Sequence, residues 1–185
     1  MLTLTGAPAL SDFRTARLLA AVKARHPSVR SLTSRFVHFV QTRRELSAEE
    51  RRILEALLTY GPRVPDSDSG PSPAPRAPRP LIIVTPRPGT ISPWSSKSTD
   101  IAHVCGLDAV ERIERGIAFR IESDAALADD ELRAIAPLLH DRMTEAAVFS
   151  FEAAARLFSH EAPRPLNTVA LLARGRLYGD RKSVV

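Results

Sequence analysis

Apolar and polar positions along the first sixty residues follow a pattern that predicts strand, helix, strand and helix. Residues 2–5 form a short strand, and Ser11 is the kind of residue that caps a helix, which then extends to about Arg25. Residues 29–41 carry the β-branched and aromatic side chains of a strand. Ser47 begins a second helix with the spacing of a capping box. The apolar stripe of this helix consists of Ile53, Leu54, Leu57 and Leu58.

The same order of elements recurs after residue 80. Residues 81–85 form an apolar strand, and residues 95–105 form a short helix that a glycine ends. Residues 110–122 have the composition of a hairpin that turns near Gly116. The acidic pair Asp129-Asp130 then begins a further helix.

A shift of 81 positions superposes the two series of elements. It places "RFVHFV" at residues 35–40 on "GIAFRI" at 116–121, and "LSAEERRILEALLT" at 46–59 on "LADDELRAIAPLLH" at 127–140. We interpret the agreement as a duplicated strand-helix-hairpin-helix unit. The predicted fold class is α+β, with the helices packed on an antiparallel sheet.

Four segments divide the chain on this interpretation. Residues 1–60 are the first repeat unit and residues 81–142 the second. Residues 61–80 are rich in proline and serine, which predicts an extended linker. Residues 143–185 form a short helical region, with an alanine-rich helix over 144–159, followed by a divergent tail.

Charge and cysteine content narrow the class of protein. The net charge is +5, but lysine occurs only at positions 23, 97 and 182, and the arginines lie among acids, as in residues 111–115. Interspersed signs are typical of a solvated face, so we expect no nucleic-acid partner. One cysteine cannot form an internal disulfide, and no apolar run reaches bilayer length. We therefore expect a cytoplasmic protein without a membrane partner.

The segment "TPRPGTISPWSSKSTDIAHVCG", residues 85–106, concentrates the candidate chemistry. A helix N-terminus with free N–H groups, hydroxyls and cations can hold a phosphate, although the spacing is not that of a P-loop. The alternative is structural: the serines cap the helix, the lysine is solvated and Trp94 anchors the core. The candidate residues for an anion site are Arg87, Ser92, Ser95, Ser96, Lys97 and Thr99.

The cysteine and histidines of the chain do not form a recognisable catalytic or metal site. His103 and Cys105 are two apart on a helix, so they point in different directions, and we expect Cys105 to be a buried structural residue. A zinc site would need further ligands at metal spacing, which the sequence lacks. His140-Asp141 is typical of a capping cluster at a helix end. No catalytic residue and no metal ligand is assigned.

The long motif "TPRPGTISPWSSKSTDIAHVCGL" resembles a signature in the N-terminal region of the large, single-chain phosphoribosylformylglycinamidine synthase, also called formylglycinamide ribonucleotide amidotransferase. Further similar segments carry the resemblance from Gly6 to about Arg174. They are "GAPALSDFR" (6–14), "FVHFV" (36–40), "LLTYGP" (57–62), "RIERGIAF" (112–119) and residues 139–149.

The resemblance implies an enzyme of purine synthesis that converts formylglycinamide ribonucleotide, ATP and glutamine to formylglycinamidine ribonucleotide. It implies a synthase domain that uses ATP and Mg²⁺, a glutaminase domain with its own cysteine nucleophile, and an N-terminal domain similar to a fused pair of small dimerising subunits. In that arrangement the present chain is a non-catalytic assembly and docking domain, and its partners are the synthase and glutaminase domains. Asp100 joins the six residues above as a candidate for proximity to the substrate phosphate.

The chain stops where the synthase and glutaminase domains follow in the family, and its residues from Arg176 onward depart from the family pattern. We therefore expect a fragment that holds no cofactor and is inactive alone. The alternative is a free-standing dimeric or regulatory binding protein, which self-associates through apolar surface that the enzyme would cover.

Overall fold

A computed structural model describes residues 1–61 and 81–159; the predicted linker from residue 62 and the predicted tail from residue 160 lie outside the described residues. Five strands form one antiparallel sheet in the order β1-β2-β4-β3-β5. The elements in chain order are β1 (Leu2–Pro8), α1 (Asp12–Lys23), β2 (Val29–Thr42), α2 (Ala48–Leu58), β3 (Leu81–Pro86), α3 (Pro93–Val104), β4 (Val110–Ser123), α4 (Asp129–Leu139), β5 (Glu145–Val148) and a 3-10 helix (Ala153–Phe158). The predicted α+β class, with helices on an antiparallel sheet, is confirmed.

The centre of the sheet is the long antiparallel pair of β2 and β4, in which Val37 lies opposite Gly116. The predicted hairpin over residues 110–122 is wrong, because β4 is one continuous strand through Gly116. A Cβ atom at position 116 would lie 2.6 Å from the carbonyl oxygen of Val84. The glycine therefore permits close approach of β3 to β4 instead of making a turn.

The two series of elements keep the spacing found in the sequence. Helix α3, strand β4 and helix α4 each begin 81 residues after α1, β2 and α2. Ser11 and Ser47 cap α1 and α2 as predicted, and Ser47 forms a full capping box with Glu50. The common origin of the two halves remains a prediction, whereas the matching order and length of their elements are features of the structure.

The four α-helices are distributed over two apolar clusters that contain residues of one sheet face. Successive side chains of β2 and β4 point to opposite faces of the sheet. The opposite pairs Leu32–Ile121 and Val40–Ile113 all point to this face. Helices α1 and α4 pack in the first cluster, and α2 and α3 pack in the second. Each cluster thus combines one helix from each half. No helix in the described ranges has the length and apolar character to span a bilayer.

The segment after α4 departs from the sequence prediction. Instead of a helix over residues 144–159, the chain forms β5 and then the 3-10 helix. Strand β5 pairs with the outer edge of β3, with Val148 opposite Ile83. Leu157 of the 3-10 helix is buried against the second sheet face beside Phe39. Pairing of the sheet edge and burial of these side chains outweigh the helix propensity of the alanines.

Candidate functional site around helix α3

The segment between β3 and α3 is a tight strand-to-helix turn. Gly89 has φ +82°, a conformation that favours glycine, and the Thr90 hydroxyl donates to the Arg87 carbonyl oxygen at 2.7 Å. Ser92 is the N-cap of α3, and its Oγ accepts a hydrogen bond from the Ser95 N–H at 3.0 Å. Pro93 is the first helical residue, so α3 begins two residues before the predicted start at 95.

A buried carboxylate holds this turn in place. Glu114 of β4 is fully buried, and the Ser92 hydroxyl donates to it at 2.9 Å while the Ser92 N–H donates at 3.3 Å. Arg112 neutralises the carboxylate through its Nη2, 2.6 Å from Glu114 Oε1. Burial of an unpaired charge is costly. Glu114 can therefore be buried here because Arg112 and Ser92 pair with its carboxylate.

Arg112 also connects three parts of the chain. Its guanidinium donates to the Thr90 carbonyl oxygen at 2.5 Å and to the Leu157 carbonyl oxygen at 3.4 Å. The same group lies 5.4 Å from the centroid of the Phe158 ring. The side chain therefore ties the turn before α3 and the 3-10 helix to β4.

Sequence reasoning missed this pair, because residues 111–115 were interpreted as a solvated run of mixed charge. A signal was present: Arg112 and Glu114 are two apart in a segment with strand composition, so both point to the same face of the sheet. Their burial depends on the 3-10 helix, which lies more than forty residues later in the chain. The sequence pattern around residues 112–114 does not indicate this contact.

Three of the seven predicted site residues face inward. Ser92 is bound to Glu114 as described, and Ser95 is fully buried, with no hydrogen-bond partner for its Oγ among the described residues. Thr99 accepts the Ile113 N–H at 3.0 Å, which joins α3 to β4. The hydroxyls of Ser92 and Thr99 thus attach α3 to the sheet.

The other four predicted site residues are exposed. Ser96, Lys97 and Asp100 lie on the outer side of α3, and Arg87 lies on the preceding turn, where it donates to the Met143 carbonyl oxygen at 3.3 Å. The seven residues therefore do not converge on one point. We call the exposed side of α3 the α3 surface. It consists of Ser96, Lys97, Asp100, Ile101 and Val104.

A second cluster surrounds the guanidinium group of Arg115. This group lies between two aromatic rings, 4.5 Å from the centroid of Phe36 and 4.7 Å from that of Trp94. It donates to the Tyr60 hydroxyl oxygen at 3.3 Å. Within residues 1–61 and 81–159, Arg115 has no carboxylate partner.

His38 lies beneath this cluster and is almost completely buried. Burial, followed by the nearby charge of Arg115, lowers the pKa of His38 from 6.5 to about 4, so the ring is neutral at neutral pH. Its Nε2 lies 2.8 Å from the Tyr60 hydroxyl oxygen. The Tyr60 oxygen therefore contacts both the Arg115 guanidinium and the His38 ring, and the histidine tautomer sets which group donates in the contact with Nε2.

A cleft between α2 and α3 adjoins the Arg115 cluster. Its volume is about 190 Å³, and most of its wall is apolar. Trp94 and Tyr60 belong both to this wall and to the contacts of Arg115. The complete lining is Leu57, Leu58, Tyr60, Trp94, Lys97, Ser98, Ile101 and Ile113.

Comparison with known families places these features in context. The model of the family described as "Formylglycinamide ribonucleotide amidotransferase N-terminal" matches residues 35–158, which is more than half of the chain. The chain belongs to this family. The match confirms the resemblance found in the sequence, and it contains β2 from Arg35 onward, α3, the Arg112–Glu114 pair and the cleft.

In this amidotransferase N-terminal domain, Cys105 is exposed, so the prediction that it is buried is wrong. It is the C-cap residue of α3, and the chain leaves the helix at Gly106, whose φ is +82°. His103 is bonded through Nε2 to the Val110 carbonyl oxygen at 2.7 Å. Asp141 accepts the Met143 N–H at 2.8 Å in the turn after α4, and the Nδ1 of His140 lies 2.6 Å from the Ala136 carbonyl oxygen near the end of that helix.

Proposed function

We propose that this chain acts as the docking domain of a formylglycinamide ribonucleotide amidotransferase and takes no direct part in bond making. It seats the synthase domain and the glutaminase domain of the enzyme against each other. The observation that carries this proposal is the α3 surface, which lies within the family match and exposes apolar side chains on a rigidly held helix.

The α3 surface has the composition of a surface that meets another protein. Val104 is 89% exposed and Ile101 is 45% exposed, and Ile91 on the preceding turn is also exposed. Exposed apolar side chains that form a contiguous patch mark protein–protein interaction sites. The buried Glu114 fixes the start of this helix, which supports a role that requires one defined orientation.

The histidines and the buried carboxylate support a role without catalysis. His38 is enclosed and neutral, His103 is bonded to a backbone carbonyl, and Glu114 is saturated by Arg112 and Ser92. A general base or nucleophile must reach the reacting atoms. His38 and Glu114 are enclosed, and His103 is exposed but uses its Nε2 in the bond to the Val110 carbonyl oxygen.

We place the chemistry of the enzyme outside this chain. In the family reaction, ATP activates the amide oxygen of formylglycinamide ribonucleotide, and glutamine supplies the nitrogen, in de novo purine synthesis. In this proposal the Mg²⁺ that accompanies ATP is bound in the synthase domain. In this proposal the protein works in the cytoplasm, where its substrates are formed.

The exposed residues of the motif are the candidates for contact with the synthase active site. Arg87, Ser96, Lys97 and Asp100 are accessible, and we propose that they touch the substrate phosphate or position catalytic loops of the synthase domain. The inward residues Ser92, Ser95 and Thr99 contribute by holding the turn and the helix in place.

Reconstitution of activity tests the proposal. The chain is mixed with the synthase and glutaminase domains, expressed separately, and glutamine hydrolysis is measured together with amidine formation. We expect the chain to restore coupled activity, and the double substitution Ser96→Ala and Lys97→Ala to weaken it. Lys23→Ala, on the distant helix α1, is the matched control. Coupling that is unchanged by addition of the chain would refute the docking role.

A free-standing binding protein is the second candidate. Phe13 on α1 is 78% exposed, so apolar surface is present on a second helix, away from the motif. Such surface favours self-association when no partner covers it. Sedimentation of the purified chain separates the two: a stable dimer that does not dissociate in the presence of the synthase domain would favour this second function.

A further inference from the structure

The cleft between α2 and α3 combines an apolar interior with a cationic edge. Its interior is formed by leucine and isoleucine side chains, including Leu57 from α2 and Ile101 from α3. Lys97 is exposed and lines the same cleft, one turn of α3 away from Ile101. One side of a bound group would therefore meet hydrocarbon, and the other a positive charge.

Two cationic side chains, Lys97 and Arg115, lie at or beside the cleft. Neither Lys97 nor Arg115 has a carboxylate within ion-pair distance among the described residues. Arg115 lies against the ring of Trp94 and donates to Tyr60, and both of these residues form part of the cleft wall. An anionic group at this end of the cleft gains electrostatic stabilisation that a cationic one loses.

We infer that the cleft binds a large apolar side chain of a partner polypeptide whose neighbouring residue is aspartate or glutamate. The apolar side chain enters between Leu57 and Ile101, and the carboxylate pairs with Lys97. This inference rests on the proposed docking function and specifies the kind of segment that the domain recognises. A cleft of about 190 Å³ is large enough for an aromatic ring, since an apolar cavity of roughly 150 Å³ accommodates benzene.

The two parts of the site have different tasks. Burial of the apolar side chain supplies most of the affinity, whereas an exposed ion pair adds little binding strength and mainly selects for charge. The charge preference should therefore be modest in size, about threefold to tenfold, and should decrease as salt is added.

Short peptides test the inference on the full chain. Trp94 is the only tryptophan of the protein and lines the cleft, so its fluorescence reports binding directly. The probes are acetyl-Glu-Phe-Glu-amide, its Gln-Phe-Gln and Lys-Phe-Lys counterparts, and acetyl-Glu-Ala-Glu-amide. We expect the Glu-Phe-Glu peptide to bind about threefold to tenfold more tightly than the Gln-Phe-Gln peptide. The Lys-Phe-Lys and Glu-Ala-Glu peptides should bind most weakly.

Two lysine variants separate the charge effect from a change in folding. Lys97→Met should bring the Glu-Phe-Glu and Gln-Phe-Gln peptides to within about twofold of each other while both still bind. Lys23→Met, on α1, should leave the original difference intact. Equal affinities of the two peptides for the unaltered chain, or a preference that survives Lys97→Met, would overturn the inference.

The result is distinguishable from a failure of the docking function. If the chain binds the synthase domain but discriminates none of the peptides, docking stands and the cleft is not its recognition site. If it discriminates the peptides as expected but does not bind the synthase domain, the cleft has this specificity and the assignment of its partner is wrong.

Discussion

Helices α1 and α3 occupy equivalent places in the two halves, yet only α3 begins on a buried support. Ser11 caps α1 in an exposed position and accepts the Arg14 N–H at 3.5 Å. Ser92 caps α3 with a shorter bond, 3.0 Å, and is itself held by Glu114. The same sequence frame thus provides a simple helix start in one half and a fixed one in the other.

The difference between the two helix starts originates in the 3-10 helix, which packs against the second half. Positions 112 and 114 correspond, after a shift of 81 residues, to Ser31 and Thr33, which carry no charge pair. Arg112 is buried because the 3-10 helix brings the Leu157 carbonyl oxygen and the Phe158 ring against it. The described residues of the first half have no such cover, so the repeat alone does not create the support.

Removal of the buried carboxylate should have the largest effect. Glu114→Ala leaves Arg112 buried without its partner and is expected to reduce the free energy of unfolding by about 3–5 kcal/mol. Thr33→Ala, at the equivalent exposed position, should cost less than about 0.5 kcal/mol. Urea denaturation of both variants measures the contrast, and equal losses would show that the pair does not stabilise the second half.

The buried histidine predicts a specific pH dependence. The pKa of His38 is about 4 in the folded protein and 6.5 in an exposed chain, so the unfolded state takes up the proton first as the pH falls. This contribution is fully present above pH 6.5, is lost between about pH 6.5 and 4, and amounts to at most about 3 kcal/mol.

His38→Gln removes this titration and isolates it from the acidic groups. Position 119, the counterpart of 38 in the second half, is a phenylalanine, so the effect belongs to the first half alone. The difference in stability between the unaltered protein and the variant should shrink as the pH falls from 7 to 4. A difference that is constant over this range would contradict the neutral, buried state of the ring.

The two capping serines should differ in a smaller but measurable way. Ser92→Ala removes the cap of α3 and one hydrogen bond to a charged group, with an expected loss of about 2 kcal/mol. Ser11→Ala removes only a long, exposed cap and should cost about 0.5 kcal/mol. Thermal unfolding of both variants measures the two losses of stability. A greater loss for Ser11→Ala than for Ser92→Ala would contradict the comparison.

Substitution of the exposed lysines should have the smallest effect on stability. Lys97→Ala and Lys23→Ala change solvated side chains on α3 and α1, and each should alter the free energy of unfolding by less than about 0.5 kcal/mol. Their effects on coupled activity should differ, because only Lys97 lies on the α3 surface. A loss of stability with Lys97→Ala would assign this residue to the fold instead of to contact with a partner.

Local sequence patterns predicted most of the elements because their causes are local. The Ser47 capping box, the strand over residues 29–41 and the turn before α3 all depend on neighbours within a few residues. Gly116 was misinterpreted because the close approach of Val84 comes from another strand. Likewise, β5 forms because the edge of β3 is available, which alanine-rich composition does not indicate.

The sequence indicated which motif residues of α3 are exposed, but it did not indicate the buried contacts that hold the helix. The motif did identify the exposed residues Ser96, Lys97 and Asp100, whose positions on α3 follow from helical spacing. It did not identify Glu114, because the burial of that residue depends on Arg112 and a distant 3-10 helix. Nor did it identify the Arg115 cluster, which combines side chains from β2, β4 and α3 with Tyr60.

The most direct test of the docking account is the affinity of the chain for the synthase domain. Val104 on α3 and Phe13 on α1 are both highly exposed, at 89% and 78%, so Val104→Asp and Phe13→Asp form a matched pair. Calorimetric titration with the separately expressed synthase domain should show that Val104→Asp weakens binding at least tenfold and that Phe13→Asp leaves it unchanged. Binding that is insensitive to Val104→Asp, or that is lost only with Phe13→Asp, would contradict the assignment of docking to the α3 surface.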